Sequence, residues 1–138
     1  MKENTLLETK NFYLQKAIKL EIANEYGYQE TYLRVSEITT IQLPAPGSRY
    51  EVNGKELISQ TAEDIFKVVP ESKFLKYTNP KTKRCWWFRK DKVTDFSSNG
   101  KDTYAVKVGG KFYEVVEREE YERLLEEVEW EIENPSNP

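Results

Sequence analysis

The residues best suited to bind a ligand lie between positions 73 and 92, where cations are interleaved with aromatic rings. This segment contains eight Lys or Arg residues and one acid, Asp91. Lysine and arginine hold phosphates by charge while aromatic rings stack on bases, so the composition is typical of a surface that contacts nucleic acid. The candidate contact residues are Lys83, Arg84, Trp86, Trp87, Arg89 and Lys90.

Strand geometry divides these candidates between two faces. Adjacent strand residues point to opposite sides, so Trp86 and Trp87 cannot both be buried in a one-sided core. Trp86 shares its face with Arg84 and Phe88, and Trp87 shares its face with Arg89. We expect one indole to be exposed, or covered by a loop or a partner. A structural role competes with this interpretation, because tryptophans of small domains usually belong to the core and edge lysines oppose aggregation.

The composition removes the commonest catalytic groups. The chain has no histidine, which excludes histidine acid–base catalysis and His-activated nucleophiles, and takes away the commonest transition-metal ligand. The single thiol, Cys85, cannot form an internal disulfide or a thiolate cluster, which indicates a reducing, cytoplasmic setting. We predict a non-enzymatic protein with no cofactor and no metal. A carboxylate enzyme that uses a divalent metal is the second alternative, although no spacing nominates a pair among the 24 acids.

A second charged segment, 114–133, is acidic, with ten Glu and two Arg residues. Together with the basic segment it predicts one positive and one negative surface, although ordinary solvated faces of a strand and a helix give the same pattern. The first alternative function is therefore a protein–protein module, such as a regulator or phage-type inhibitor. In that case the acidic helix imitates nucleic acid and a tryptophan anchors the interface.

The elements that position these residues follow from periodicity and turn signals. Apolar and polar residues alternate over 18–22, which predicts a half-buried strand. Asn53-Gly54 predicts a type I′ turn in a hairpin over 49–58, and a helix over 62–69 is ended by Pro70. Loops or turns are expected at 24–29, 43–48, 79–82 and 97–100, and further strands at 31–35, 37–42, 73–78, 83–89, 92–96, 103–108 and 111–116.

The clearest element is an amphipathic helix at about 117–131. One apolar stripe recurs at helical spacing and consists of Tyr121, Leu124, Leu125, Val128 and Ile132. The predicted fold class is therefore α+β, mostly β: a small antiparallel sheet or open barrel with hairpins, a short middle helix and this C-terminal helix. No segment approaches the roughly 18 apolar residues of a membrane span, so no membrane partner is expected.

The chain has the length of one domain, and its halves share a pattern. We expect a single β-rich domain over 16–132, preceded by an N-terminal arm or short helix at 1–15 and followed by a disordered tail at 133–138. A hairpin and helix within 31–69 are matched by a hairpin and helix within 83–128, with equivalent residues 54 to 56 positions apart. This half-repeat predicts a pseudo-symmetric assembly or a homodimer in which exposed strand edges pair.

Several short segments occur in a recognisable order: 31–41, 50–57 (Tyr-Glu-Val-Asn-Gly-Lys-Glu-Leu), 74–77 (Phe-Leu-Lys-Tyr), 88–93, 104–111 and a helix after Val116. This order resembles the LytTR-type DNA-binding domain of bacterial response regulators, which implies a β-rich fold and DNA binding. Residues 77–81 stand where that family has a His-Arg pair, and residues 116–119 stand where it has Ser-Arg-Arg. Since those positions are expected to meet DNA, no binding residue of the family transfers to this chain.

The sequence as a whole predicts a non-enzymatic, cytoplasmic binding module. We expect a nucleic-acid-binding or regulatory protein that recognises its partner, a nucleic acid or a protein, through the basic, aromatic strand surface.

Overall fold

Ten strands and two α-helices make up residues 14–135, the part of the chain that the computed structural model describes. The predicted fold class is confirmed, because the molecule is mostly β with a short middle helix and a C-terminal helix. The strands are β1 (Ala17–Asn24), β2 (Gly27–Arg34), β3 (Thr40–Leu43), β4 (Glu51–Val52), β5 (Lys55–Glu56), β6 (Phe74–Thr78), β7 (Cys85–Arg89), β8 (Val93–Ser98), β9 (Tyr104–Val108) and β10 (Lys111–Glu114). The α-helices are α1 (Ala62–Phe66) and α2 (Arg118–Glu127), and 3-10 turns lie at Val35–Glu37, Glu71–Lys73 and Lys90–Lys92.

The turn between β1 and β2 is tighter than the sequence indicated. β2 begins at Gly27, inside the segment expected to be a loop through Gln29, because Asn24 pairs directly with Gly27. Gly27 has a φ of 126°, a conformation open to glycine. The Asn24 side chain accepts a hydrogen bond from the Tyr26 N–H at 2.9 Å. The first hairpin is therefore longer and more regular than expected.

Both α-helices are shorter than predicted. α1 ends at Phe66, short of the expected stop before Pro70. α2 ends at Glu127, and Glu129 then has a positive φ of 65°, which breaks the helical path. Ile132, expected to complete the apolar stripe, lies beyond the helix and is 66% exposed.

The described strands form three antiparallel sheets, none of which closes into a barrel. β1 and β2 make a two-stranded sheet, and β8 is one edge of a three-stranded sheet with the order β10-β9-β8. The central sheet has the order β5-β4-β3-β7-β6. Since β3 and β7 come from different halves of the chain, their pairing joins the halves.

The same series of elements occurs twice along the chain. A hairpin, a 3-10 turn, a strand, a second hairpin and an α-helix run from β1 to α1 (17–66, the first repeat) and again from β6 to α2 (74–127, the second repeat). The matching extends to single hydrogen bonds. The Leu57 N–H donates to the Tyr50 carbonyl at 2.8 Å, and the Val115 N–H donates to the Tyr104 carbonyl at 2.9 Å.

Each repeat has its own hydrophobic core, and the β6–β7 hairpin lies between the two cores. The first core includes Leu20, Val35, Ile38, Ile41, Val52, Leu57, Ala62, Ile65 and Val69, and the second includes Val93, Tyr104, Val106, Val108, Val115, Leu124 and Val128. From the β6–β7 hairpin, Phe74, Cys85 and Trp87 enter the first core, while Leu75, Tyr77 and Phe88 enter the second. The β6–β7 hairpin is therefore covered on both faces.

Parts of the predicted organisation lie outside residues 14–135. Only the last two positions of the arm predicted at 1–15 are described, and they have no regular secondary structure. The tail predicted at 133–138 is described only as far as Pro135.

Candidate functional site

Lys83 and Arg84, two of the predicted contact residues, lie in the exposed turn between β6 and β7. Asn79 organises this turn. Its side-chain oxygen accepts a hydrogen bond from the Lys81 N–H at 2.9 Å, and its carbonyl accepts one from the Lys83 N–H at 2.9 Å. Neither Lys83 nor Arg84 makes an ion pair within the described part of the chain, so both cations are available to a ligand.

Trp87 belongs to the first core. It is only 6% exposed and packs against Tyr50 and Phe66, with ring centroids 6.2 and 5.9 Å away. Its indole N–H donates a hydrogen bond to the Glu71 carboxylate at 3.1 Å. Trp87 therefore has its polar group satisfied inside the protein and offers no face to a ligand.

Trp86 lies on the opposite face of β7, as strand geometry predicted. Its ring stacks on Phe88 at 5.7 Å and contacts the edge of Tyr113 at 4.9 Å. Since Tyr113 comes from β10, the last hairpin covers this indole and leaves it half-buried. The two indoles occupy two different cores, which a one-sided sheet does not provide.

Arg89 is held by the fold. Its side chain is 13% exposed, its Nη1 donates to the carbonyls of Val35 and Ile38, and its Nε pairs with the Asp91 carboxylate at 3.0 Å. The carbonyl oxygens flank the first 3-10 turn, so this guanidinium from the second repeat caps a turn of the first. Its charge and most of its donors are already used.

Lys90 lines a groove between the repeats, near the ends of α1 and α2. The groove has a volume of about 590 Å³, within the range of ligand sites in proteins. Four cations line it: Lys16, Lys73, Arg89 and Lys90. Its apolar wall consists of Val35, Val68, Val69, Pro70, Val128 and Trp130.

The charges of this inter-repeat groove are only partly balanced. Lys90 pairs with the Glu129 carboxylate at 3.3 Å, and Asp91 balances Arg89. Lys16 and Lys73 make no ion pair within residues 14–135. Two cations of the groove, Lys16 and Lys73, therefore have no ion pair with a carboxylate among the described residues.

Trp130 gives the groove an accessible aromatic ring. The side chain is 41% exposed and contacts the ring of Phe96 edge-on, with centroids 5.4 Å apart. The positive φ of Glu129 turns the chain away from the helix just before it. Neither Lys16 nor Trp130 was among the contact residues predicted from the sequence. One signal for Trp130 was available, because it lies off the apolar stripe of α2.

The acidic helix lies beside the basic hairpin. Arg123 of α2 donates to the Lys76 carbonyl of β6 at 2.7 Å, and it also pairs with Glu120 and Glu127 at 2.7 and 2.8 Å. Arg118 pairs with Glu122 at 2.9 Å. Part of the acidic charge is thus neutralised within the helix, and the positive and negative surfaces adjoin.

Within residues 14–135, no group of three or more Cys, Asp or Glu side chains is placed to hold a metal ion. None of the helices described there is both long and apolar enough to cross a bilayer. A scan against protein-family models, a search of curated proteins and a search of solved structures each returned no match to this chain.

Proposed function

We propose that this chain is a non-enzymatic, cytoplasmic binding module that holds an anionic partner, a single-stranded nucleic acid, in the inter-repeat groove. The observation that carries the proposal is that one groove combines an exposed indole with two cations that make no ion pair in the described part of the chain. Lys16 and Lys73 supply the positive charge, and Trp130 supplies a ring face beside them. Charged grooves with aromatic platforms are the usual means of binding unpaired strands.

This placement differs from the surface that the sequence suggested, although the chemistry is the same. Trp86 and Trp87 pack inside the protein, so neither serves as a stacking platform without rearrangement. Lys83 and Arg84 lie at the far end of the β6–β7 hairpin from the groove, since β6 and β7 separate them from Lys73 and Lys90. They offer a further cationic contact for a strand that leaves the groove.

A fluorescence anisotropy titration tests the proposal. Labelled random-sequence single strands and duplexes of DNA and RNA are titrated at roughly 50 and 200 mM salt. We expect single strands to bind more tightly than duplexes, and binding to weaken about tenfold at the higher salt, as for two or three phosphate contacts. Trp130→Ala should weaken binding by about tenfold, the value of one stacked base.

A matched pair of charge variants makes the test specific to the groove. Lys16→Ala/Lys73→Ala removes two lysines that line the groove, whereas Lys55→Ala/Lys111→Ala removes two exposed lysines from hairpins elsewhere. Binding should be lost in the first variant and kept in the second. Equal losses in both variants, or no binding by the unaltered chain at the lower salt, would contradict the proposal.

A protein partner is the second candidate, and the first hairpin favours it. Its outer face presents Tyr28 and Tyr32, which are 55% and 72% exposed. The corresponding face of the β6–β7 hairpin is buried against the first repeat. Aromatic side chains of this kind are common anchors in protein interfaces.

A further inference from the structure

We propose that copies of this chain assemble head to tail, with β2 of one copy added to the free edge of β8 in the next. The pairing would use the register and contacts that β7 and β3 already use inside the chain. This goes beyond the proposed function. The residues altered in its tests, Thr31, Tyr32 and Ser97, do not line the inter-repeat groove, so either proposal can fail without the other.

β2 and β7 occupy equivalent positions in the two repeats. Each is the second strand of a hairpin and ends at an arginine that precedes a 3-10 turn. Arg34 has φ and ψ of −62° and 135°, and Arg89 has −68° and 122°. Within the hairpins Tyr32 faces Lys19 as Trp87 faces Lys76. Tyr32 is thus the counterpart of Trp87.

β3 and β8 are equivalent in the same way. Each follows a 3-10 turn and pairs with the first strand of the next hairpin, Ile41 opposite Val52 in one repeat and Phe96 opposite Val106 in the other. β3 is paired on both sides, with β4 and β7. β8 is paired only with β9 among the described strands, so one of its edges is free.

The two ends of the molecule are therefore complementary. β2 is paired only with β1 in the described part of the chain, and its unused edge corresponds to the edge of β7 that binds β3. Tyr32 is 72% exposed, whereas its counterpart Trp87 is 6% exposed. At one end of the molecule β2 has an unpaired edge and the exposed ring of Tyr32, and at the other end β8 has an unpaired edge that can pair with β2.

The internal register fixes the contacts between copies. In the chain, Thr40, Ile41, Gln42 and Leu43 lie opposite Phe88, Trp87, Trp86 and Cys85. In the proposed contact, β8 takes the place of β3 and β2 takes the place of β7. The same register then pairs residues of β8 with residues of β2: Asp95 with Leu33, Phe96 with Tyr32, Ser97 with Thr31 and Ser98 with Glu30. Tyr32 then meets the aromatic cluster of Phe96, Tyr121 and Tyr104, as Trp87 meets Tyr50 and Phe66.

The arginine that caps the internal junction has a counterpart ready for the external one. Arg89 donates to the carbonyls of Val35 and Ile38 across the β3–β7 junction. Arg34 holds the same place in the first repeat, and its side chain is 58% exposed with a single ion pair to Glu37. In the assembly its guanidinium reaches the carbonyls of Lys90 and Val93 in the neighbouring copy.

Such a contact joins two different surfaces of the same chain. It does not close into a two-fold dimer, and it generates chains of copies or a ring. We therefore expect oligomers whose mean size rises with concentration, with a head-to-tail dimer as the smallest species.

Cysteine pairing between two single variants tests the register. Full-length Thr31→Cys and Ser97→Cys chains are mixed and oxidised with diamide. Directly opposite residues in an antiparallel pair have Cα atoms about 4.5 to 5.5 Å apart, within reach of a disulfide. The native Cys85 is buried, and the unaltered chain reports any background. We expect a disulfide-linked dimer in the mixture, several-fold above either variant alone.

The control replaces the β8 partner with a residue on the opposite edge of the same sheet, Lys111→Cys in β10. Equal yields with Ser97→Cys and Lys111→Cys would overturn the proposed pairing.

Sedimentation velocity supplies the second measurement. Tyr32→Asp should abolish association, while Tyr26→Asp, in the adjacent turn and 90% exposed, should leave it intact. If the unaltered chain stays strictly monomeric at all concentrations, the proposal is also overturned.

Discussion

Arg89 lies at the end of β7 and Arg84 lies in the turn before that strand, and their surroundings give the two guanidinium groups different roles. Arg89 is enclosed by two carbonyl oxygens and the Asp91 carboxylate. Arg84 is exposed and makes no ion pair in the described chain. The residue type is the same at both positions, and the tertiary contacts distinguish the structural cation, Arg89, from Arg84, which is available to a ligand.

This difference predicts unequal effects of two alanine substitutions on stability. Arg89→Ala should lower the free energy of unfolding by about 2 kcal/mol, because it removes the hydrogen bonds to the Val35 and Ile38 carbonyls and the ion pair with the Asp91 carboxylate. Arg84→Ala should change it by less than about 0.5 kcal/mol, as is usual for an exposed residue. Urea denaturation followed by circular dichroism measures both. Equal stabilities would show that the Arg89 contacts contribute nothing to the repeat junction.

Among single elements, the β6–β7 hairpin was predicted correctly in its strands and turn but not in its burial. Its two strands and turn were predicted within a few residues, because Asn79-Pro80 marks the turn and apolar residues mark the strands. The error was to treat the sheet as one-sided. Cys85, Trp86, Trp87 and Phe88 form an uninterrupted apolar run, a pattern typical of strands buried on both faces.

The groove could not be predicted in the same way. Lys16, Lys73 and Trp130 come from three distant segments, and no local pattern relates them. The chain brings them together only because the ends of the two repeats meet. Sequence patterns report the period of one element, whereas a site between repeats depends on how elements pack.

α1 is the shorter of the two α-helices in the described part of the chain and depends on its first turn. The Thr61 N–H donates a hydrogen bond to the Asp64 carboxylate at 2.8 Å, and the N–H of Asp64 lies over the Thr61 hydroxyl in a capping box. The hydrogen bond from the Thr61 backbone lowers the pKa of Asp64. The spacing of Thr61 and Asp64 is that of a capping box with Asp in place of the usual Glu.

The lowered pKa of Asp64 predicts a pH effect of definite sign. A carboxyl whose pKa is lower in the folded state stabilises the fold above its unfolded pKa, near 3.8 here, and loses that contribution as pH falls through the folded pKa. Thermal melts of the unaltered chain and of Asp64→Asn should therefore differ most near neutral pH and converge in acid. Glu63→Gln, in the same helical turn but outside the capping box, is the control. A difference that grows in acid would contradict this role.

At the scale of the whole molecule, the repeats are joined twice. β7 pairs with β3 in the central sheet, and the β6–β7 hairpin supplies side chains to both cores. Neither core is complete without that hairpin, so loosening one core removes a wall of the other. Two repeats built in this way should not unfold one at a time.

This coupling predicts a single unfolding transition that responds to a substitution in either core. Ile41→Ala and Val106→Ala, at fully buried positions of the first and second cores, should each lower the free energy of unfolding of the entire molecule by about 2 to 4 kcal/mol. Val68→Ala, at a position 37% exposed, is the matched control and should have a small effect.

Tryptophan fluorescence follows mainly the core environment and far-ultraviolet circular dichroism follows the strands and helices. Both signals should shift together in each core variant, because the shared hairpin transmits the loss from one core to the other. Two separated transitions, with Val106→Ala moving only one of them, would show that the repeats fold as independent units.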